Sequence, residues 1–165
     1  MPAPIEIARY ATVLLLCLVL AIAGVSDVRT RRIPNWTVLA TAGLFCAWFF
    51  VGSPASLLSS LGAALIVLVC SSVLYVFGIV GAGDSKLATA VALFAGIARL
   101  PEFLFYMSLT GGVLVLCMVA AQPARILVIL HMRGKGGLDR GVPYGVAIAL
   151  AGAMLLLPTI TQQLI

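Results

Sequence analysis

Long uncharged runs separated by short polar breaks dominate this chain. The runs cover Ile5 or Tyr10 to Ser26, Trp36 to Val51, Ser56 to Ile79, Leu87 to Ala98, Phe103 to Ala121, and a last stretch from Val142-Pro143-Tyr144-Gly145 to Pro158. They are apolar on every side, without the two-residue alternation of a barrel strand, so each predicts a membrane helix. In lipid a helix satisfies its own backbone hydrogen bonds. The pattern therefore predicts an all-α, polytopic bundle of about six transmembrane helices, with residues 1-165 forming a single membrane-embedded domain.

The breaks are polar. Asp27 to Asn35 reads as a first loop, where Pro34 disfavours helix at Ile33 and Asn35 suits an N-cap. Trp36 then falls at headgroup level. Gly52-Ser53-Pro54 and Arg99-Leu100-Pro101-Glu102 read as outer turns. The fourth run is short, and counted from Asp84 to Ala98 it makes a helix of only about 22 Å, which predicts that Asp84 is sunken below the membrane surface. Residues 122-141 form a basic loop with an apolar core, Ile126 to Leu130, that either lies in the interface or prolongs the fifth helix.

Composition sharpens this picture. The chain of 165 residues is 63% hydrophobic and 9% charged, which excludes an ordinary soluble domain. The net charge of +5 belongs to inner loops rather than to a nucleic-acid surface. Eight of the ten basic residues (Arg29, Arg31, Arg32, Lys86, Arg125, Arg133, Lys135 and Arg140) fall on one side of the predicted topology, against Arg9 and Arg99 on the other. That bias places the Asp27 and Asp84 ends in the cytoplasm and both termini in the periplasm. It also reads the first helix as uncleaved, because its positive charge follows the apolar run instead of preceding it. Cys17, Cys46, Cys70 and Cys117 stand alone in apolar runs without a CxxC pair, and are expected to pack between helices. No metal or other cofactor is expected.

The candidate chemistry lies in Asp27 and Asp84. A carboxylate at the end of a membrane helix is costly and asks for a reason. Two of them at one depth would share a proton, the ionised member taking a proton from water and the protonated member donating to a substrate carbonyl. Each is expected to follow an inward-running helix, where the dipole is unfavourable to an anion. Gly81 and Gly83 would permit unusual backbone angles and close approach of another chain, and Lys86 would hold the loop or tune the pair. Plainer roles exist for each: a solvated loop aspartate, a packing notch, a snorkelling lysine. A proton-coupled transporter is the main alternative function, although its carboxylates belong near mid-bilayer. A structural subunit of a membrane machine is the third.

Gly81-Ala82-Gly83-Asp84-Ser85-Lys86 resembles the GxGDxK motif of bacterial type IV prepilin peptidases, which are membrane aspartyl proteases. Asp27 with Arg32-Ile33-Pro34-Asn35 is similar to that family's first aspartate and the stretch after it, and Val142-Pro143-Tyr144-Gly145 to the entry into its last helix. The resemblance implies removal of a short basic leader from prepilins or pseudopilins at the cytoplasmic face of the bacterial inner membrane. It implies Asp27 and Asp84 as the catalytic pair, supported by Gly81, Gly83 and Lys86, with Pro34, Asn35 and Tyr144 as substrate contacts. Longer members carry paired CxxC motifs and also N-methylate the product. This chain lacks CxxC and is similar to the short peptidases of tight-adherence (Flp) pilus systems, so cleavage without methyl transfer is expected.

Overall fold

A computed structural model describes residues 4-51, 56-121 and 143-161. Five helices occur among them: α1 (Pro4–Thr30), α2 (Asn35–Val51), α3 (Leu57–Val76), α4 (Ala82–Ala120) and α5 (Tyr144–Thr161). Of these, α1, α3 and α4 are long and apolar enough to cross a membrane, while α2 and α5 are shorter apolar helices. The protein is a polytopic helical membrane protein, with five helices where about six were expected.

The difference lies in α4. Its backbone breaks at Gly96 (φ 61°, ψ 175°), a conformation almost reserved for glycine. The two arms run in opposite directions. Gly152 of α5 packs against Val91, the Arg99 guanidinium donates to the Leu155 carbonyl at 2.6 Å, and the Thr110 hydroxyl donates back to the Ala147 carbonyl at 3.1 Å. The chain therefore reverses at Gly96, three residues before the expected turn at Arg99. Pro101 follows five residues after the break, early in the second arm, where a missing N–H costs little. The Ile97 N–H, orphaned by the break, donates to the Ser59 hydroxyl of α3 at 3.0 Å.

Other boundaries also moved. α1 does not stop at Ser26 but continues to Thr30, so Asp27 is helical and the first loop shrinks to residues 31-34. Nothing in Asp27-Val28-Arg29-Thr30 breaks a helix, and the Thr30 hydroxyl donates to the Ser26 carbonyl at 2.9 Å. The helix ends on Arg31 (φ 55°), a left-handed residue just past the last turn. α2 already includes Asn35, and the Thr37 N–H and hydroxyl both donate to the Pro34 carbonyl, so Pro34 stands at the cap instead of Asn35. α3 starts behind the Ser56 cap and closes on Gly78 (φ 71°). There the Gly78 and Ile79 N–H groups return to the Tyr75 and Leu74 carbonyls, a Schellman closure. α5 runs through Pro158 to Thr161.

Packing centres on α4, which touches α2, α3 and α5, while α1 closes the bundle against α2 and α5. Leu16, Leu20, Leu87, Val91, Phe103, Leu155 and Leu156 are buried at its heart, and Phe45 and Trp48 of α2 meet the Phe94 ring with centroids 5.4 Å and 6.4 Å apart. Small residues set the crossings, as is usual between membrane helices. A Cβ on Gly152 would stand 2.9 Å from Leu20 and 3.0 Å from Val91, and one on Gly62 would stand 2.9 Å from Ile97. Outward faces carry Leu, Val, Ile and Phe side chains, including Phe50 and Leu58. Cys46, Cys70 and Cys117 share that outward surface and Cys17 is half-buried, so the thiols do not fill the helix interfaces as expected. The turn at Gly52-Ser53-Pro54 and the loop 122-141 lie outside the described residues.

Candidate active site

Asp27 comes from the last turn of α1 and is buried, at 7% exposure. Its Oδ2 accepts the Gly145 N–H at 2.8 Å. That amide is an orphan donor of the first turn of α5, so the carboxylate satisfies it as a capping residue would, from a different helix. Gly145 is required for the approach: a Cβ there would stand 2.9 Å from Asp27 Oδ2 and 3.0 Å from Ile33 Cδ1. Arg31 lies close enough to attract the Asp27 charge.

Asp84 lies in the first turn of α4 and is half-buried. The expectation of an unfavourable dipole reverses here, because α3 has already ended at Val76 and the carboxylate faces the positive end of α4. Its Oδ2 folds back against Gly81, 2.9 Å from the position a Cβ would take there, beside the Gly81 N–H. Such a return from the third helical residue to the cap is half of a capping box. Asp84 Oδ1 is buried and has no hydrogen-bond partner among the described residues. The next residue, Ser85, holds the turn: its hydroxyl lies 3.2 Å from the Gly81 carbonyl and 3.4 Å from that of Ser71 in α3.

The two aspartates line one cavity of about 340 Å³ and are near enough to feel each other's charge. Gly81, Ala82, Gly83 and Lys86 form one wall, and Arg31, Arg32, Ile33 and Asn35 the other. Of the expected substrate contacts, Asn35 reaches the cavity. Pro34 does not line it and serves as the α2 cap, and Tyr144 does not line it either. The Tyr144 ring lies 3.7 Å from where a Gly111 Cβ would stand, on the second arm of α4. Neither motif glycine has a positive φ, so the expected unusual angles are not what they supply. They supply room, and the chain that fills the space at Gly83 is the protein's own: a Cβ there would stand 3.2 Å from Ile33 Cβ.

Two partners in this arrangement, the Gly145 amide and the Ile33 side chain, were not singled out from the sequence. Both sit inside short stretches marked by proline, but no local pattern tells which amide or methyl will meet a carboxylate from another helix. Among the described residues no group of three or more metal-ligating side chains occurs.

A pair of carboxylates in a polar cavity at one end of a membrane bundle can run acid–base chemistry on a peptide bond. Comparison with curated proteins and with solved structures gave no match. A family profile described as the type IV leader peptidase family matches residues 14–116, which takes in both aspartates and the whole GxGD stretch. The chain belongs to the type IV leader peptidase family.

Proposed function

We propose that this peptidase is an aspartyl endopeptidase that removes the short basic leader from prepilins or pseudopilins at the cytoplasmic face of the bacterial inner membrane. The observation that carries the reading is the convergence of Asp27 and Asp84, from α1 and α4, on one cavity. The pair shares one proton. The ionised carboxylate takes a proton from water as the water oxygen bonds to the scissile carbonyl carbon. The protonated carboxyl gives its proton to the carbonyl oxygen, which leaves a neutral tetrahedral diol. Collapse of the diol breaks the C–N bond, the nitrogen takes a proton from one aspartic acid, and a hydroxyl proton returns to the other. The Gly145 amide holds Asp27 in place through this cycle, and the nearby Arg31 charge favours its ionised form.

Charge supports the cytoplasmic assignment. Arg29, Arg31, Arg32 and Lys86 gather at the aspartate end, while Arg9 packs over the Trp48 ring and Arg99 beside Leu155, toward the opposite end. Retention of positive charge in the cytoplasm then puts the site inside. The two antiparallel arms of α4 count as two passes, so the bundle makes six passes with both termini periplasmic. The substrate is of the tight-adherence pilin kind, the whole chain acts as one domain, and cleavage is the chemistry we assign to it.

The test is co-expression with a tight-adherence prepilin and a gel-shift assay of leader loss. Wild type removes the leader, and Asp27→Asn and Asp84→Asn each abolish removal while still inserting in the membrane. Full processing by either variant overturns the two-aspartate mechanism.

A further inference from the structure

We propose that Ile33 is a positioning residue that sets how Asp27 and Asp84 face each other, acting as a wedge between the glycines beside them; this rests on the two-aspartate reading above. Ile33 belongs to neither carboxylate's helix. It sits in the four-residue connection 31-34, yet it packs against the bundle core. The connection is held so that the side chain turns inward. Arg31 takes a left-handed conformation, and the Arg32 carbonyl accepts the Ser26 hydroxyl at 2.9 Å.

Two ends of the side chain touch two different parts of the site. At its base, Cβ would lie 3.2 Å from a Gly83 Cβ, so it rests on the backbone immediately before Asp84. At its tip, Cδ1 would lie 3.0 Å from a Gly145 Cβ, so it rests on the residue whose N–H holds Asp27. Base and tip thus fix the spacing between the first turn of α4 and the first turn of α5. Because Asp27 is bonded to α5 and Asp84 is built into α4, that spacing is also the spacing of the pair. A β-branched side chain is stiff at χ1, which suits a spacer.

Removing parts of the side chain separates the contacts. Ile33→Val keeps the branched base and loses the tip; Ile33→Ala loses all but Cβ. Purified variants are compared on the same prepilin, with kcat and KM measured apart and folding followed by thermal unfolding in detergent. Ile33→Ala is expected to lower kcat about 100-fold, the loss that follows a displacement of about 1 Å between catalytic groups, with KM unchanged. Ile33→Val falls between it and wild type. Gly83→Ala, which pushes on the base, also lowers kcat, and combined with Ile33→Gly, which removes the base Cβ that it would meet, it costs less than the product of the two, because both act on one contact.

Wild-type kcat in Ile33→Ala overturns the proposal. So does a loss confined to KM, or losses that multiply independently. If Ile33→Ala fails to fold, Ile33→Val decides: reduced kcat at unchanged KM supports the wedge, and wild-type kcat overturns it. Cleavage by Asp27→Asn or Asp84→Asn, or none by wild type, brings down the aspartyl reading and this inference with it. Loss of cleavage in both aspartate variants alongside an unaffected Ile33→Ala brings down the wedge alone.

Discussion

At the scale of single residues, the site is an economy of absent side chains. Gly145 is the sharpest case. An alanine there would drive its Cβ to 2.9 Å from the carboxylate oxygen that its own amide binds. Gly145→Ala is therefore expected to insert normally and to lose cleavage by about 100-fold, as displaced catalytic groups do, read by leader removal against membrane-fraction abundance. Asp27 and Asp84 were legible in the sequence because acidic residues are so few, five in the whole chain, that each asks for an explanation. Their partners were not. Gly145 follows Asp27 by 118 positions, and Ile33 reads as one more apolar residue in a proline-bound loop. Contacts that bridge helices depend on depth and rotation, which a one-dimensional pattern leaves open.

At the scale of elements, the apolar runs marked nearly every helix, and the errors fell where a break needs backbone geometry to be seen. The run of charges and proline at Arg99-Leu100-Pro101-Glu102 drew the turn to itself, but those residues continue the helix and the Arg99 Nε donates to Glu102 Oε2 at 2.9 Å within it. The reversal sits on Gly96 because a positive φ is cheap there alone. Gly96→Ala should cost about 1–3 kcal/mol, the usual strain of a forced backbone region, and appear as a lower unfolding temperature in detergent. Ser59→Ala, which leaves the Ile97 N–H uncapped, should cost about 1 kcal/mol in the same measurement. The end of α1 shows the complementary error. In the sequence Asp27 reads as the start of a loop, whereas the helix carries it one turn from its end, where the rigidity of the helix can hold it.

At the scale of the whole molecule, topology makes the site. Charges segregate to the two ends of the bundle, and a membrane-impermeant thiol reagent can read that segregation. In a background without the four native cysteines, a cysteine replacing Arg29 should be labelled only after the membrane is opened, and one replacing Arg9 should be labelled in intact spheroplasts. The opposite pattern would turn the proposed orientation over. The bond from the Gly145 amide to Asp27 has a temporal meaning as well. Both aspartates leave the ribosome well before residue 145, so a partly made chain holds its two acids without the amide that orients the first. On the proposed two-aspartate mechanism, a chain that lacks α5 is expected not to cleave, so the nascent protein would stay idle until α5 joins the bundle.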